Sequence, residues 1–357
     1  MKVYVYTICK NEEQFVDRFM DSVSEADGVY ILDTGSTDNT VEKLKKRGAF
    51  VKTEIINPWR FDVARNKSLD LVPMDADICV CLDLDEVIER GWRKKIEENW
   101  KENTTRMRYL YHWWIEEEPK VSFYIEKIHG RNDYIWHHPV HEVLKYIGDK
   151  VENMILCPGV VVRHFPDRKK SRSSYLPLLE LSVLEDPLDD RNMHYLGREY
   201  MYYKKWDQAI ETLHRHLKLE SATWKDERCA SMRFMARCYF NKNMDEEGQM
   251  WLKKAILEAP YLKDSYVELA LFYYRKNDFS NLVDTLEKTL TLKENRYSYI
   301  NEVFTIDGTI EDLLSIGYYQ LEKYDLSLEF AKIALSKKPT DERIKENIKI
   351  IENKILS

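Results

Sequence analysis

The sequence predicts two folds in tandem: an α/β domain on a mostly parallel, Rossmann-like sheet, then an all-α domain of helical repeats. Two observations predict it. In the first third, short β-branched or aromatic runs alternate with amphipathic stretches, the pattern of parallel strands covered by crossover helices. From about Arg191, four helical stretches follow in which small and aromatic residues recur at matching offsets, the mark of stacked helix pairs. At roughly 100–200 residues per domain, a chain of 357 residues holds about two domains.

The elements read as follows. Residues 3–8 (VYVYTI) form a strand, and residues 12–23 follow with Phe15, Phe19 and Val23 at helical spacing. Residues 28–33 (GVYILD) are a second strand. Residues 34–48 then give a Ser/Thr/Asp-rich turn, a helix start and a terminating Gly48. Residues 50–55 (FVKTEI), 61–72 (FDVARNKSLDLV) and 78–83 (ICVCLD) continue as strand, helix and strand. From about Thr105 to His164 the texture is strand-rich and irregular, with RMRYLYHWW, VSFYIEKIHG and MILCPGVVVRH as its strands. This is the second half of the same domain. The expected boundaries are 1–166 for the α/β domain, 167–190 for a linker or helix and 191–357 for the repeats.

The repeats align on Gly197, Ala236, Ala270 and Gly317, at spacings of 39, 34 and 47 residues. Twelve residues further on stand Ala209, Gly248 and Leu282, while Ser327 arrives two residues early. Small residues let paired helices approach, and Tyr200, Tyr239 and Tyr273 fill between them. The array resembles a degenerate tetratricopeptide domain of at least four units, whose ordinary period is about 34 residues.

The net charge of −7 argues against a nucleic-acid footprint over the whole protein. No apolar run is long enough for a membrane span. The opening MKVYVYTICKNEE lacks the apolar core and cleavage site of a signal peptide. Six cysteines without a CxxC pair read as small buried hydrophobes in a reducing, cytoplasmic setting.

Residues 78–89 (ICVCLDLDEVIE) crowd Asp83, Asp85 and Glu86 at the tip of a buried strand. Like charges so close call for a cation. Ligands of parallel sheets sit beyond the carboxyl ends of the strands, so Asp33 and Asp83 should share one crevice. Alternation at a strand end puts Asp83 and Asp85 on one side. Hard divalent cations such as Mn²⁺ or Mg²⁺ suit oxygen ligands, and such an ion neutralises a diphosphate as it leaves a sugar. The second cluster, residues 137–144 (HHPVHEVL), is not a zinc-protease helix. Pro139 breaks the span between His137 and His141, and the order of His and Glu is wrong. Glu142 is a candidate general base, with His141 orienting it or binding donor; a structural salt bridge is the other reading of Glu142.

Four segments in order, TICKNEEQFVDRFMDSV, VYILDTGSTDNTVE, PWRFDVARNKSLDLVPMDADICVCLDLDEVI and HHPVHEVL, together resemble a family 2 glycosyltransferase with a GT-A fold and a C-terminal tetratricopeptide region. The resemblance implies a nucleotide-diphosphate sugar donor, a UDP-sugar first, with Mn²⁺ or Mg²⁺. It implies Asp85 as the direct metal ligand, Asp83 on the ribose or a metal-bound water, and His164 completing the metal site. It implies Asp33 on the nucleobase, and Thr7, Asn11, Glu12 and Leu84 lining the donor crevice. Arg65 meets base or phosphate, or is a surface ion pair. Asp33 read alone is also a helix cap, and His164 a hinge residue. Arg168, Lys169, Lys170 and Arg172 contact phosphate or form a solvated link. The membrane-associated tails of polysaccharide synthases are missing, which favours a soluble acceptor.

Three functions stay open on sequence. The first is an inverting glycosyltransferase whose array holds a peptide or protein acceptor. The second builds a cell-surface polysaccharide or lipid-linked glycan, with the array making a homodimer. The third is an inactive scaffold, against which the presence of Asp33, Asp83 and Asp85 counts.

Overall fold

The structure is a computed structural model and describes residues 1–115, 118–167, 173–293 and 298–356. The basic run Arg168, Lys169, Lys170 and Arg172 lies outside the described residues. Apart from a short loop segment, the chain forms two compact units that divide between Glu185 and Asp186.

The N-terminal unit is built on one eight-stranded sheet. β1 (Val3–Cys9), β2 (Gly28–Asp33), β3 (Phe50–Thr53) and β4 (Ile78–Cys81) alternate with α1 (Val16–Ser22), α2 (Thr40–Lys46) and α3 (Phe61–Asp70). β5 (Glu86–Ile88) and α4 (Trp92–Asn99) come next, then β6 (Arg106–Ile115), β7 (Glu118–Gly130), β8 (Tyr134–His137), β9 (Val143–Tyr146), β10 (Met154–His164) and α5 (Tyr175–Glu185). The sheet order is β3-β2-β1-β4-β7-β6-β10-β5, and β8 and β9 pair separately. β3, β2, β1 and β4 run parallel, and β7 enters antiparallel against β4. This is the mostly parallel α/β sheet that the alternating pattern called for, and it is consistent with the GT-A fold that the resemblance implies.

The pleat sorts side chains between two cores. Val3, Val5 and Cys9 of β1, with Ile78 and Val80 of β4 and Leu82 beyond it, face the larger one. Tyr6, Cys79 and Cys81 face the other, against Leu69 of α3 and Trp136 of β8. Cys79 and Cys81 thus share a face, and all six cysteines are free and buried.

Two strand readings are corrected. β3 stops at Thr53. β4 stops at Cys81, so Asp83 and Asp85 lie in a turn and strand alternation does not place them together. β5, α4 and the β8–β9 ribbon were not foreseen.

The second unit is helical. α6 (Asp190–Tyr202) and α7 (Trp206–Lys218), α8 (Lys225–Asn241) and α9 (Asp245–Glu258), α10 (Lys263–Arg275) and α11 (Phe279–Glu287), and α12 (Thr309–Gln320) and α13 (Tyr324–Lys337) form four hairpins before α14 (Glu342–Leu356). Each hairpin turns on one left-handed residue: Lys204, Asn243, Asn277 and Glu322, with φ of 58, 59, 56 and 58°. In each, the next amide donates to a tyrosine carbonyl, Lys205 to Tyr200, Met244 to Tyr239, Asp278 to Tyr273 and Lys323 to Tyr318, all at 2.9 Å. This is one helix-ending motif repeated four times, and it makes the array tetratricopeptide-like on backbone grounds. The small anchors mark close approaches: a Cβ on Gly197 would stand 2.6 Å from Leu213.

Candidate active site

The carboxyl ends of β1 and β2 come out in register, Cys9 opposite Asp33. Asp33 is 1% exposed. Its carboxylate accepts the Ser36 amide at 3.0 Å and the Gly35 amide at 3.3 Å, where Gly35 has φ +106°. The residue at the start of α2 is Asn39, so Asp33 closes the turn and does not cap the helix. Asn11 laces the neighbouring loop to this turn: its Oδ1 accepts the Thr37 amide at 2.7 Å and its own amide donates to Ser36 Oγ at 2.9 Å. The Glu12 amide donates to Thr40 Oγ1 at 2.8 Å. Thr7 lies further back, fully buried, its hydroxyl donating to the Ile8 carbonyl at 3.1 Å.

Beyond β4 the acids divide. Asp83 and the Cys81 thiol meet the same Arg65 guanidinium, and Leu84 joins the larger core with Leu82. Leu84 is fully buried, so its side chain is closed to a ligand. Asp83 is held by Arg65 of α3 and by Lys127 of β7, whose Nζ is 3.4 Å away. Lys127 also reaches Glu86 at 3.3 Å. Glu86 accepts the Asp83 amide at 3.0 Å and the Tyr111 hydroxyl at 3.1 Å. Burial pushes the Asp83 carboxyl up, but the two cations outweigh it and hold it well below the usual carboxylate range. Burial pushes Glu86 up, with Lys127 restraining it and Asp83 adding to the rise.

Asp85 stands apart. Its Oδ2 lies 3.1 Å from His164 Nε2 at the end of β10, and its carbonyl accepts the Phe165 amide at 2.9 Å. Burial pulls the His164 pKa down, and the bond to Asp85 together with the charges of Asp85, Glu86 and Asp83 more than reverses this, so the ring titrates above its ordinary value. His164 Nδ1 is buried without a hydrogen-bond partner among the described residues. Trp113 meets the ring edge-on at 4.8 Å. Among the described residues, Asp83, Asp85 and His164 do not bring three ligand atoms within 4.8 Å of one another.

The HHPVHE segment joins the same group through Arg65. Glu142 accepts from Arg65 Nε at 3.0 Å. Asn66 fastens α3 to this segment by two bonds to the Trp136 main chain, 2.9 and 2.8 Å, and the Phe61 amide donates to the Pro139 carbonyl at 3.0 Å. His138 and His141 both have positive φ, 80 and 51°. Non-glycine residues in that region carry strain that packing must hold. The His141 ring meets Tyr175 edge-on at 5.7 Å.

Three residues escaped the sequence reading. Lys127 supplies the second cation, Tyr111 shares Glu86 with it, and Trp136 lies under the Arg65 guanidinium at 5.6 Å from its ring centre. Below them the Trp136 indole donates to the Tyr6 hydroxyl at 2.9 Å, which lies 2.8 Å from His129 Nε2. Burial pushes the His129 pKa down to about 3, so its ring is neutral and fit to accept from Tyr6. Lys127 and His129 at alternate positions of β7 were the available clue.

In the solved structures, MamA aligns at 17% identity over 48% of this chain and 85% of that one, with a TM-score of 0.36. The Cut9–Hcn1 assembly aligns at 14% identity over 50% of this chain and 33% of that one, TM-score 0.38. The N-terminal domain of stress-induced protein-1 from C. elegans aligns at 15% identity over 36% of this chain and 98% of that one, TM-score 0.32. No curated protein matches the chain. No helix among the described residues is long and apolar enough to cross a membrane. Residues 4–148 match the model of Glycosyl transferase family 2.

Proposed function

We propose that the N-terminal unit is an inverting, metal-dependent transferase that moves a sugar from a nucleotide-diphosphate sugar, a uridine nucleotide first, to a peptide or protein side chain. One observation carries the reading: of the three acids beyond β4, Asp83 and Glu86 are answered by permanent cations, while Asp85 is paired with a titratable imidazole. An arginine or lysine does not give up its place to a metal ion, whereas a histidine does so by losing a proton and becomes a ligand itself. The donor set of carboxylate oxygen and imidazole nitrogen fits Mn²⁺ bound together with a diphosphate, and Mg²⁺ in its place would rely on the oxygens of Asp85, the diphosphate and water. Asp85 and His164 would hold that ion, which when bound supplies positive charge to the leaving diphosphate.

The remaining roles fall to the chain itself. Asp33, held by two amides, presents a fixed acceptor edge to a nucleobase. Asp83, pinned between Arg65 and Lys127, is placed for a ribose hydroxyl. Glu142 takes the acceptor proton, with Arg65 and the strained HHPVHE backbone fixing its position. The helical pairs supply the acceptor surface, as solenoid arrays do for peptides.

The test is a melting-temperature screen of nucleotide-diphosphate sugars with Mn²⁺ on the full chain, repeated with Asp85→Ala. The expected result is stabilisation that needs both metal and nucleotide and is lost in the variant. Equal metal-dependent stabilisation of wild type and Asp85→Ala would remove Asp85 from the site.

A further inference from the structure

In the helical unit, three metal-ligating side chains converge where three helix ends meet. Asp190 is in the first turn of α6, His216 in the last turn of α7 and Glu227 in the first turn of α8. One ligand atom of each lies within 4.8 Å of the other two. His216 is fully buried and Glu227 is 4% exposed. His216 Nε2 stands 3.4 Å from a Glu227 carboxylate oxygen, yet makes no hydrogen bond. Its other nitrogen, Nδ1, lies 2.9 Å from Ser231 Oγ, which is itself 2.7 Å from His194 Nδ1.

Counting protons sharpens the point. The Ser231 hydroxyl has one proton and two ring nitrogens beside it, so it serves one of them and takes an N–H from the other. Where His216 is the donor, its Nε2 is a lone pair aimed at a carboxylate oxygen. Two acceptors facing each other in a dry site are unfavourable unless a cation lies between them. That tautomer is also the one that metal-bound imidazoles adopt, with the outer N–H tied to an acceptor.

We propose that Asp190, His216 and Glu227 hold a divalent cation of the Zn²⁺ class, which clasps the first helix hairpin to the second. An imidazole nitrogen with two carboxylates suits Zn²⁺, whereas Mg²⁺ and Ca²⁺ favour all-oxygen sites. Three protein ligands leave a place for water. The clasp secures the first repeat, the one with no preceding hairpin to stack on, and terminal repeats of such arrays need capping. The site is independent of the sugar-transfer reading, because each of its ligands lies in the second unit.

A proton on His216, at a helix C-terminus between two acids, would serve as a rival clasp, and the experiment separates the two. The full-length Asp85→Ala chain, which disables the proposed metal site of the first unit, is stripped with chelator and titrated with Co²⁺ as a spectroscopic probe, then with Zn²⁺. The expected result is one Co²⁺ per chain with visible ligand-field absorption, displacement by Zn²⁺, and a rise in melting temperature on Zn²⁺ addition. Glu227→Gln and Asp190→Asn are each expected to weaken Co²⁺ binding at least tenfold. Asp190 is only half-buried, so its variant keeps the test open should Glu227→Gln fail to fold. No Co²⁺ uptake, the outcome of a proton clasp, overturns the proposal. So does uptake that is unchanged in Asp190→Asn and in folded Glu227→Gln.

Discussion

Lys127→Met is the sharpest probe of how the acids beyond β4 are held. Lys127 Nζ stands 3.3 Å from Glu86 and 3.4 Å from Asp83, and the Glu86 side chain is 2% exposed. Methionine keeps the stem and removes the charge. Asp83 retains Arg65; Glu86 keeps the Tyr111 hydroxyl and the Asp83 amide but loses its cation. Removing one partner of a buried pair costs about 3–5 kcal/mol. Glu86 can lessen this by taking a proton, since burial already raises its pKa and Lys127 is what restrains it. The loss should therefore fall near the lower end, about 3 kcal/mol. In a unit of this size each kcal/mol moves the midpoint by about 2–4 °C, which gives a drop of about 6–12 °C. The sign with pH follows from the raised pKa. Below the unfolded carboxyl value Glu86 is protonated in both states and the penalty vanishes; it grows as pH rises through the folded value. The assay is thermal unfolding of the full chain at mildly acidic and mildly alkaline pH. Adding Glu86→Gln should restore most of the loss, because an amide needs no charge partner. A variant within about 1 kcal/mol of wild type at alkaline pH, against the 3–5 kcal/mol of a broken buried pair, or a double variant with no recovery, would refute the reasoning.

Three further outcomes are expected. His164 titrates above its ordinary value and must lose its proton to bind metal, so Mn²⁺ affinity should rise with pH up to about tenfold per unit and level off above the raised pKa. A pH-independent affinity counts against His164 as ligand; without metal, the His164–Asp85 pair should stabilise the fold at acidic pH and lose that effect as pH rises through the folded value. Glu142→Gln should slow transfer by about 10²–10⁴ with donor affinity nearly unchanged, and His141→Ala should act more on donor affinity; parallel losses of binding and turnover in Glu142→Gln would make Glu142 a support for Arg65 and not the base. Gly197→Val should destabilise the array by about 1–3 kcal/mol through overpacking, since even a Cβ there stands 2.6 Å from Leu213, and an unchanged unfolding midpoint would disprove the close approach.

What the sequence disclosed was whatever one element encodes within its own period. The alternation of VYVYTIC gives β1 and its two faces, and the same parity puts Cys79 and Cys81 on one side. The small anchors of the hairpins were legible for the same reason, although the left-handed turns behind them, on Lys204, Asn243, Asn277 and Glu322, share no residue type. Sequence crowding also announced that the acids needed cations. Which cations could not be read, because Arg65 lies 18 residues from Asp83, Lys127 lies 44, Glu142 lies 77 from Arg65, and His164 lies 79 from Asp85. Those partnerships depend on strand order, where β7 inserts beside β4 and β10 ends near the turn, and no local pattern encodes them. The consequence is chemical. Three acids in four positions look like one metal site, but two are neutralised from within the fold. Only the third has a partner that can exchange a proton for an ion, and that difference arises from tertiary pairing, not from the spacing of the acids.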